Sequence, residues 1–355
     1  MLILSEREER EWREYADGIL RDSPAPDSYD TVIRPGLVPA FHFYIATYLA
    51  SKGAGEQAFA WAKAGVLKED DGLIGLAFFL GFLERYGNRL VKPSIVFEDP
   101  RPFHHFTTVP LMNGARKEFI RLCGRSLPVF EHPVRFMDIG CGSGELAVAV
   151  LKELRDNNKI PGVSEVLLIE PSPAMAALAE KNIRSAFPDA AVMREDCRIQ
   201  DCSGRIDRKF DIAMSSLACH HMPVEHKRIH LARLRPWIDH FLLFEIDADI
   251  DSPDLYSPAL ALTVYQSFGR IFDRIYAEDA PVEVVNDGID MFLMTEAVSI
   301  FTEPRGERSE YHMLRSRWDY LMAESLGPEL SLRSDHTCYT DEYLTIFALH
   351  YGRTG

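Results

Sequence analysis

Apolar positions recur at three- and four-residue intervals over 5–21, 37–51, 56–67 and 73–86, the spacing that lays a stripe along one helix face. A Pro-rich break follows the first stretch, and Gly and Asp clusters separate the others, so 1–92 reads as helices without a strand. The last two stretches predict one helical hairpin, and no second copy marks a repeat array. Pro and Phe fill 91–110, which predicts extended chain. From Val134 the pattern changes. Apolar runs at 134–138, 165–170, 191–194, 210–215 and 240–246 predict buried strands. Helical spacing at 145–155, 174–185 and 225–234 falls between them. Such alternation implies parallel β-α-β units in a doubly wound α/β sheet, with ligands at the strands' C-terminal edge. A mostly helical segment at 253–325 follows, and 345–351 predicts a last buried strand. The chain thus divides into a helical N-terminal region, 1–127, and an α/β domain, 128–355, with a helical insertion at 253–325.

Charge and cysteine content narrow the partners. Lys and Arg number 39 against 54 Asp and Glu, a balance of −15 that repels phosphate backbones and anionic lipids. Neither nucleic acid nor a membrane surface is expected as a partner. The six cysteines (Cys123, Cys141, Cys197, Cys202, Cys219, Cys338) form no C-x-x-C pair and suit a reducing compartment. Residues 1–4 lead directly into a charged run, with no signal-peptide apolar stretch. The longest apolar run, 72–83, has 12 residues, against roughly 20 needed to cross a bilayer. A cytoplasmic location is expected.

The sharpest chemical feature is the turn after the first strand, where Gly140, Gly142 and Gly144 alternate behind Asp138. Glycines there permit backbone conformations closed to other residues and close approach to a ligand. The dinucleotide fingerprint would place a Gly where Glu145 stands. An acid two residues before the first Gly is poor for a pyrophosphate and good for an ammonium group. The chemistry points to a cofactor bearing an amino acid.

The run 138–144 (D-I-G-C-G-S-G) resembles the first motif of the class I S-adenosylmethionine-dependent methyltransferases, and the resemblance extends over about 130–247. It implies a Rossmann-like, mostly parallel seven-stranded sheet, with Asp138, Gly140, Cys141, Gly142 and Gly144 around the methionine moiety of S-adenosyl-L-methionine. Glu170 would accept the ribose hydroxyls, with Pro171 and Ser172 flanking the adenine. Asp196 would accept the adenine amino group, and the N–H of Cys197 would meet the ring. Ser215, Ser216 and Leu217 match the fourth motif. A longer first crossover, 156–164, is the one departure from the family pattern.

Methyl transfer from a sulfonium is an in-line displacement, so the protein must hold the acceptor in line and remove its proton where it carries one. His220 and His221 follow the fourth strand at the cleft edge, and either imidazole suits a base near neutral pH. His221 is preferred, because His220 is expected to point towards the sheet. Glu245 and Asp247 end the fifth strand on one face. No metal is expected, although His220 and His221 with His226, His230, His312 or His336 would offer imidazoles. The stretch 101–107 reads as a lid or a packing linker. Tyr311, His312, Arg315 and Trp318 are expected on one late helix. The leading function is methylation of a small molecule on O, N or C, under a roof formed by the helical additions. Two alternatives stay open. One is an enzyme that cyclises the same cofactor and releases methylthioadenosine. The other is a ligand-binding or interaction protein, since 104–118 and 315–351 resemble parts of the GRAS-domain proteins.

Overall fold

Amphipathic spacing produces the expected helices first. The computed structural model describes residues 2–69, 72–92 and 100–353. Helix α1 (Glu6–Asp22) starts on a capping box: Ser5 accepts from the Glu8 N–H while the Glu8 carboxylate accepts from Ser5. α2 (Val38–Ser51), α3 (Gly55–Val66) and α4 (Gly75–Arg85) follow. α2 is buried on nearly every side because α3 and the later helix at Pro258–Tyr276 pack on it, with α1 and α4 filling the rest. α3 and α4 pack together as the predicted hairpin. The expectation of extended chain at 91–110 is corrected. Residues 93–99 lie outside the described residues, and beyond them stand α5 (Pro100–Thr108) and α6 (Pro110–Ser126). Pro100 and Pro110 each open a helix, where a missing N–H costs nothing and a fixed φ fits. Prolines that read as breakers are starters.

The α/β part follows the predicted order. β1 (Val134–Ile139) leads to α7 (Glu145–Asp156), β2 (Val163–Ile169), α8 (Pro173–Ala186) and β3 (Ala191–Glu195). The one-turn α9 (Ile199–Cys202), β4 (Phe210–Ser216), α10 (Val224–Leu234) and β5 (Ile238–Ile246) come next. The insertion holds α11 (Pro258–Tyr276), α12 (Val282–Gly288), a π turn at Ile289–Leu293, α13 (Met294–Thr302) and α14 (Arg315–Leu326). β6 (Leu330–Thr340) and β7 (Thr345–Arg353) end the chain. The seven strands lie in the order β3-β2-β1-β4-β5-β7-β6. The first five are parallel, while β7 is antiparallel to both neighbours, so the sheet is mixed. β6 escaped the periodicity analysis because it is an edge strand. Its residues are mostly exposed or half-buried and its pairing with β7 slips twice, both common protections of a sheet edge.

Two apolar layers flank the sheet. One joins alternate residues of β1, β2, β4 and β5 to α1–α4, α6, α7 and the insertion helices α11 and α13. The other lies beneath the opposite face, around Phe210, Phe241, Trp318 and Phe347. The N-terminal helices therefore share a core with the sheet. Strand order reverses between β1 and β4, which opens a crevice at the C-terminal ends of those strands. Among the described residues, no helix is long and apolar enough to cross a membrane.

Candidate active site

Beyond β1 the chain turns through Gly140, Gly142 and Gly144 at φ of 70°, 51° and 71°. Space demands glycine as well. A Cβ on Gly140 would lie 2.3 Å from that of Ala218, and one on Gly144 2.9 Å from the Ala179 Cα. The N–H groups of Gly140 and Cys141 both donate to the Ile169 carbonyl, at 2.8 and 3.2 Å, tying the turn to the end of β2. That brings Glu170 alongside. Its carboxylate accepts from the Gly142 and Ser172 N–H groups, each at 3.0 Å, and keeps about half of its lone-pair sites. Asp138 is 2% exposed and its Oδ1 has no hydrogen-bond partner. Burial first, then the nearby Glu170, pushes its carboxyl up to about 8 against the pull of Arg116. Cys141 is buried in the turn, its thiol raised well above the ordinary range by burial and then by Asp138.

The far side of the crevice matches the expectations less closely. Ser172 caps α8, accepting from the Met175 N–H at 3.3 Å, and Pro171 is exposed beside it. Asp196 is held by a residue the sequence did not single out: Arg194 sets Nε 2.7 Å from Oδ1 and a second nitrogen 3.1 Å from Oδ2. The N–H of Cys197 is turned onto the Glu195 carbonyl at 2.9 Å, a tight turn that occupies the donor assigned to the adenine ring. Helix α5 covers the glycine turn. The Phe103 ring lies 3.2 Å from the point a Cβ on Gly142 would occupy, and α12 packs on α5 from behind.

At the end of β4, Ser215 is fully buried with its hydroxyl 3.1 Å from the Cys219 sulfur, and Ser216 is half-buried. Leu217 adopts φ 49° and donates to the Phe244 carbonyl at 2.8 Å, an uncommon left-handed turn for Leu. A short 3₁₀ turn then carries Cys219, His220 and His221. His220 is buried, with its backbone N–H 3.3 Å and its Nδ1 2.8 Å from the carboxylate of the wholly buried Glu245. His312 stacks on it, ring centroids 4.0 Å apart. The Nε2 atoms of both rings stand 3.4 Å from Oε2 of Glu310, and Nδ1 of His221 lies 2.8 Å from Oε1. Glu296, from α13, adds a third buried carboxylate. Burial, then His312, lowers His220 to about 4. Burial also opposes charge on His221, but Glu310 outweighs it and raises the imidazole to about 10. His221 keeps 44% of its side chain exposed and lies near enough to Glu170 to favour that carboxylate's charge.

The late segment departs from the single helix expected. Tyr311 and His312 precede α14 as extended chain, Arg315 opens that helix, and Trp318 is core. Tertiary hydrogen bonds overrule the helical spacing. Tyr311 donates its N–H to the His220 carbonyl at 2.7 Å, and the Ile250 and Asp251 N–H groups donate to the His312 carbonyl at 3.0 Å each. Lys227, buried in α10, donates to the Tyr311 carbonyl. Asp247 does not join Glu245; it accepts from the Arg315 N–H at 2.9 Å. Of the remaining histidines considered with His220, His230 bonds Ser203 at 2.7 Å, His226 faces His230, and His336 stands 3.8 Å from Glu118. Glu296 and Glu310 were missed. Glu296 left one signal, a lone acid in the otherwise uncharged, wholly apolar-facing α13.

Residues 136–238, from β1 to the start of β5, match the family model described as a methyltransferase domain. The match covers 103 of the 355 residues. The N-terminal helices, the insertion and the last two strands lie outside the matched residues of this methyltransferase domain. No curated protein matches the chain. Among solved structures, SCL7 from Oryza sativa is similar at 13% identity and a TM-score of 0.55, covering 82% of this chain and 93% of its own, a likeness of fold. Magnesium protoporphyrin IX methyltransferase from Synechocystis PCC 6803, with bound SAH, gives 12% identity, TM-score 0.41 and coverages of 77% and 95%. A cyclopropane synthase from Mycobacterium tuberculosis gives 11%, 0.43, 72% and 95%.

Proposed function

We propose that the protein binds S-adenosyl-L-methionine above β1 and β4 and transfers its methyl group in line to an O, N or C atom of a small molecule. The observation that carries this reading is Asp138, a carboxylate 2% exposed with an unpartnered oxygen, at the root of three glycines in left-handed conformation. A buried carboxylate without a partner is costly, and the ammonium group of a methionine moiety supplies one. Glu170 has lone pairs left for two ribose hydroxyls. When bound, the cofactor supplies an electrophilic methyl group. The chain's own part is to anchor both ends of it, exclude water under α5, and orient the acceptor.

We assign His221 to the acceptor, since it alone of the cluster's imidazoles reaches solvent and it stands near Glu170. His220 and Glu245 position it. Glu310, 2.8 Å from its Nδ1, fixes the His221 ring at the cleft edge, where it is a hydrogen-bonding group for the acceptor. All six cysteines are free thiols in the structure, which supports work in the reducing cytoplasm.

Cofactor binding is expected to release a proton. The Asp138 carboxyl, near 8 without ligand, is protonated at neutral pH, and a bound ammonium favours its ionised form. Affinity should therefore rise with pH towards about 8 and fall again where the ligand's own ammonium group loses its proton. Calorimetry in buffers of different ionisation enthalpy reads the proton directly, and Asp138→Asn should abolish both effects.

Mass spectrometry of the spent cofactor separates this reading from cyclisation. Transfer leaves S-adenosylhomocysteine; a dominant methylthioadenosine product would reject it. The interaction-protein alternative has one observation in its favour: α6 packs on β6, bringing the two stretches that resemble GRAS-domain proteins together. Cofactor bound and never consumed over a broad substrate panel would establish that alternative.

A further inference from the structure

We infer that His220, His221, Glu296 and Glu310 form a binding site for a divalent transition-metal ion, with His312 stacked on His220 and Glu245 as the residue that positions those two imidazoles. Three ring nitrogens converge on one carboxylate, at 3.4, 3.4 and 2.8 Å. With metal–ligand bonds of roughly 2.1 Å, adjacent ligand atoms sit about 3.4 Å apart in a tetrahedron and about 3.0 Å apart in an octahedron. One ligand atom from each of His220, His221, Glu296 and Glu310 lies within 4.8 Å of all the others, close to the span of a single ion's ligand shell. Glu310 is fully buried and faces imidazoles: Nδ1 of His221, which also lies 3.2 Å from the Ser309 carbonyl, at 2.8 Å, and Nε2 of His220 and His312 at 3.4 Å each. His220 and His221, Glu296 and Glu310 come from three separate segments, so tertiary structure gathers four side chains able to donate lone pairs to one ion.

The surroundings have the organisation of a metal site. A ligating His commonly donates its far ring N–H to a carboxylate, which fixes its tautomer and orientation. Glu245 does this for His220 at 2.8 Å and stands 3.9 Å from Nδ1 of His312, leaving both Nε2 atoms facing Glu310. Imidazoles with carboxylates, and no thiolate among them, suit Zn²⁺, Fe²⁺, Co²⁺ or Ni²⁺. The side carrying His221 is open, 44% of that side chain being exposed, as in sites that keep one position for a small ligand. A second acidic and imidazole cluster, Asp27, Asp30 and His42, is satisfied without an ion, since Lys68 and His42 already engage both carboxylates.

The test is cobalt titration of the full chain, stripped with a chelator and freed of any affinity tag. One Co²⁺ per chain is expected, with visible d–d absorption of a four- or five-coordinate site that Zn²⁺ bleaches. Glu296→Gln and Glu310→Gln should each weaken Co²⁺ binding about 100-fold, and Glu245→Gln about 10- to 100-fold. S-adenosylhomocysteine affinity of the stripped chain, measured in parallel, reports on the proposed function independently. A folded wild-type chain that gives no cobalt spectrum and takes up no stoichiometric metal overturns the inference. So does a Glu310→Gln chain that binds Co²⁺ as tightly as wild type. Should a variant not fold, the wild-type titration decides alone.

Discussion

Replacing Glu170 with Ala is expected to weaken S-adenosylmethionine binding about 100-fold or more. The carboxylate stands where β2 ends and already holds the glycine turn through the Gly142 N–H while bonding the Ser172 N–H ahead of α8. In the proposed reading its remaining lone pairs accept from the ribose hydroxyls. A hydrogen bond to a charged group contributes roughly 1.5–3 kcal/mol, so two hydroxyls lost amount to about 3–6 kcal/mol. Release of the turn adds to that. Glu170→Gln keeps one acceptor oxygen and should fall between wild type and Ala. Equilibrium dialysis with labelled cofactor, alongside thermal melts, reads the effect. Unchanged affinity in a normally folded Glu170→Ala chain would remove Glu170 from the site.

Gly140→Ala is the second large effect, on stability and cofactor binding together. Its φ of 70° costs a residue with a Cβ about 1–2 kcal/mol. The new methyl group would also stand 2.3 Å from the Ala218 Cβ, a stub on the backbone that cannot rotate away. Overpacking of this kind costs about 1–3 kcal/mol. A loss of about 2–5 kcal/mol is expected, read as a lower melting temperature or denaturant midpoint. The pair Gly140→Ala with Ala218→Gly should recover the steric part and not the conformational part. Full recovery would show that φ at 140 carries no strain; no recovery would show that Ala218 is not the obstacle.

The parallel strands were legible because a strand covered on both faces is a continuous apolar run, as in 166–169 and 241–244. The glycine turn was legible because positive φ leaves a residue-type signature at 140, 142 and 144. β6 was not, since a polar edge strand lacks any apolar period, and α5 and α6 hid behind prolines that open helices. Asp196 and Cys197 were placed in order along the chain, but their engagement by Arg194 and the Glu195 carbonyl is a matter of local geometry. The histidine and glutamate cluster shows the limit most clearly. His220 and Glu245 were marked by the strands they follow. Glu310 and Glu296 reach them from the insertion, through backbone pairing of residues 309–313 that has no counterpart in sequence spacing.

Calorimetric titration of the wild-type chain with S-adenosylhomocysteine tests the central claim most directly. One site per chain is predicted, with micromolar affinity or better and proton uptake by the buffer near pH 7. Absence of binding heat at high protein concentration, for this ligand and for S-adenosylmethionine alike, would contradict it.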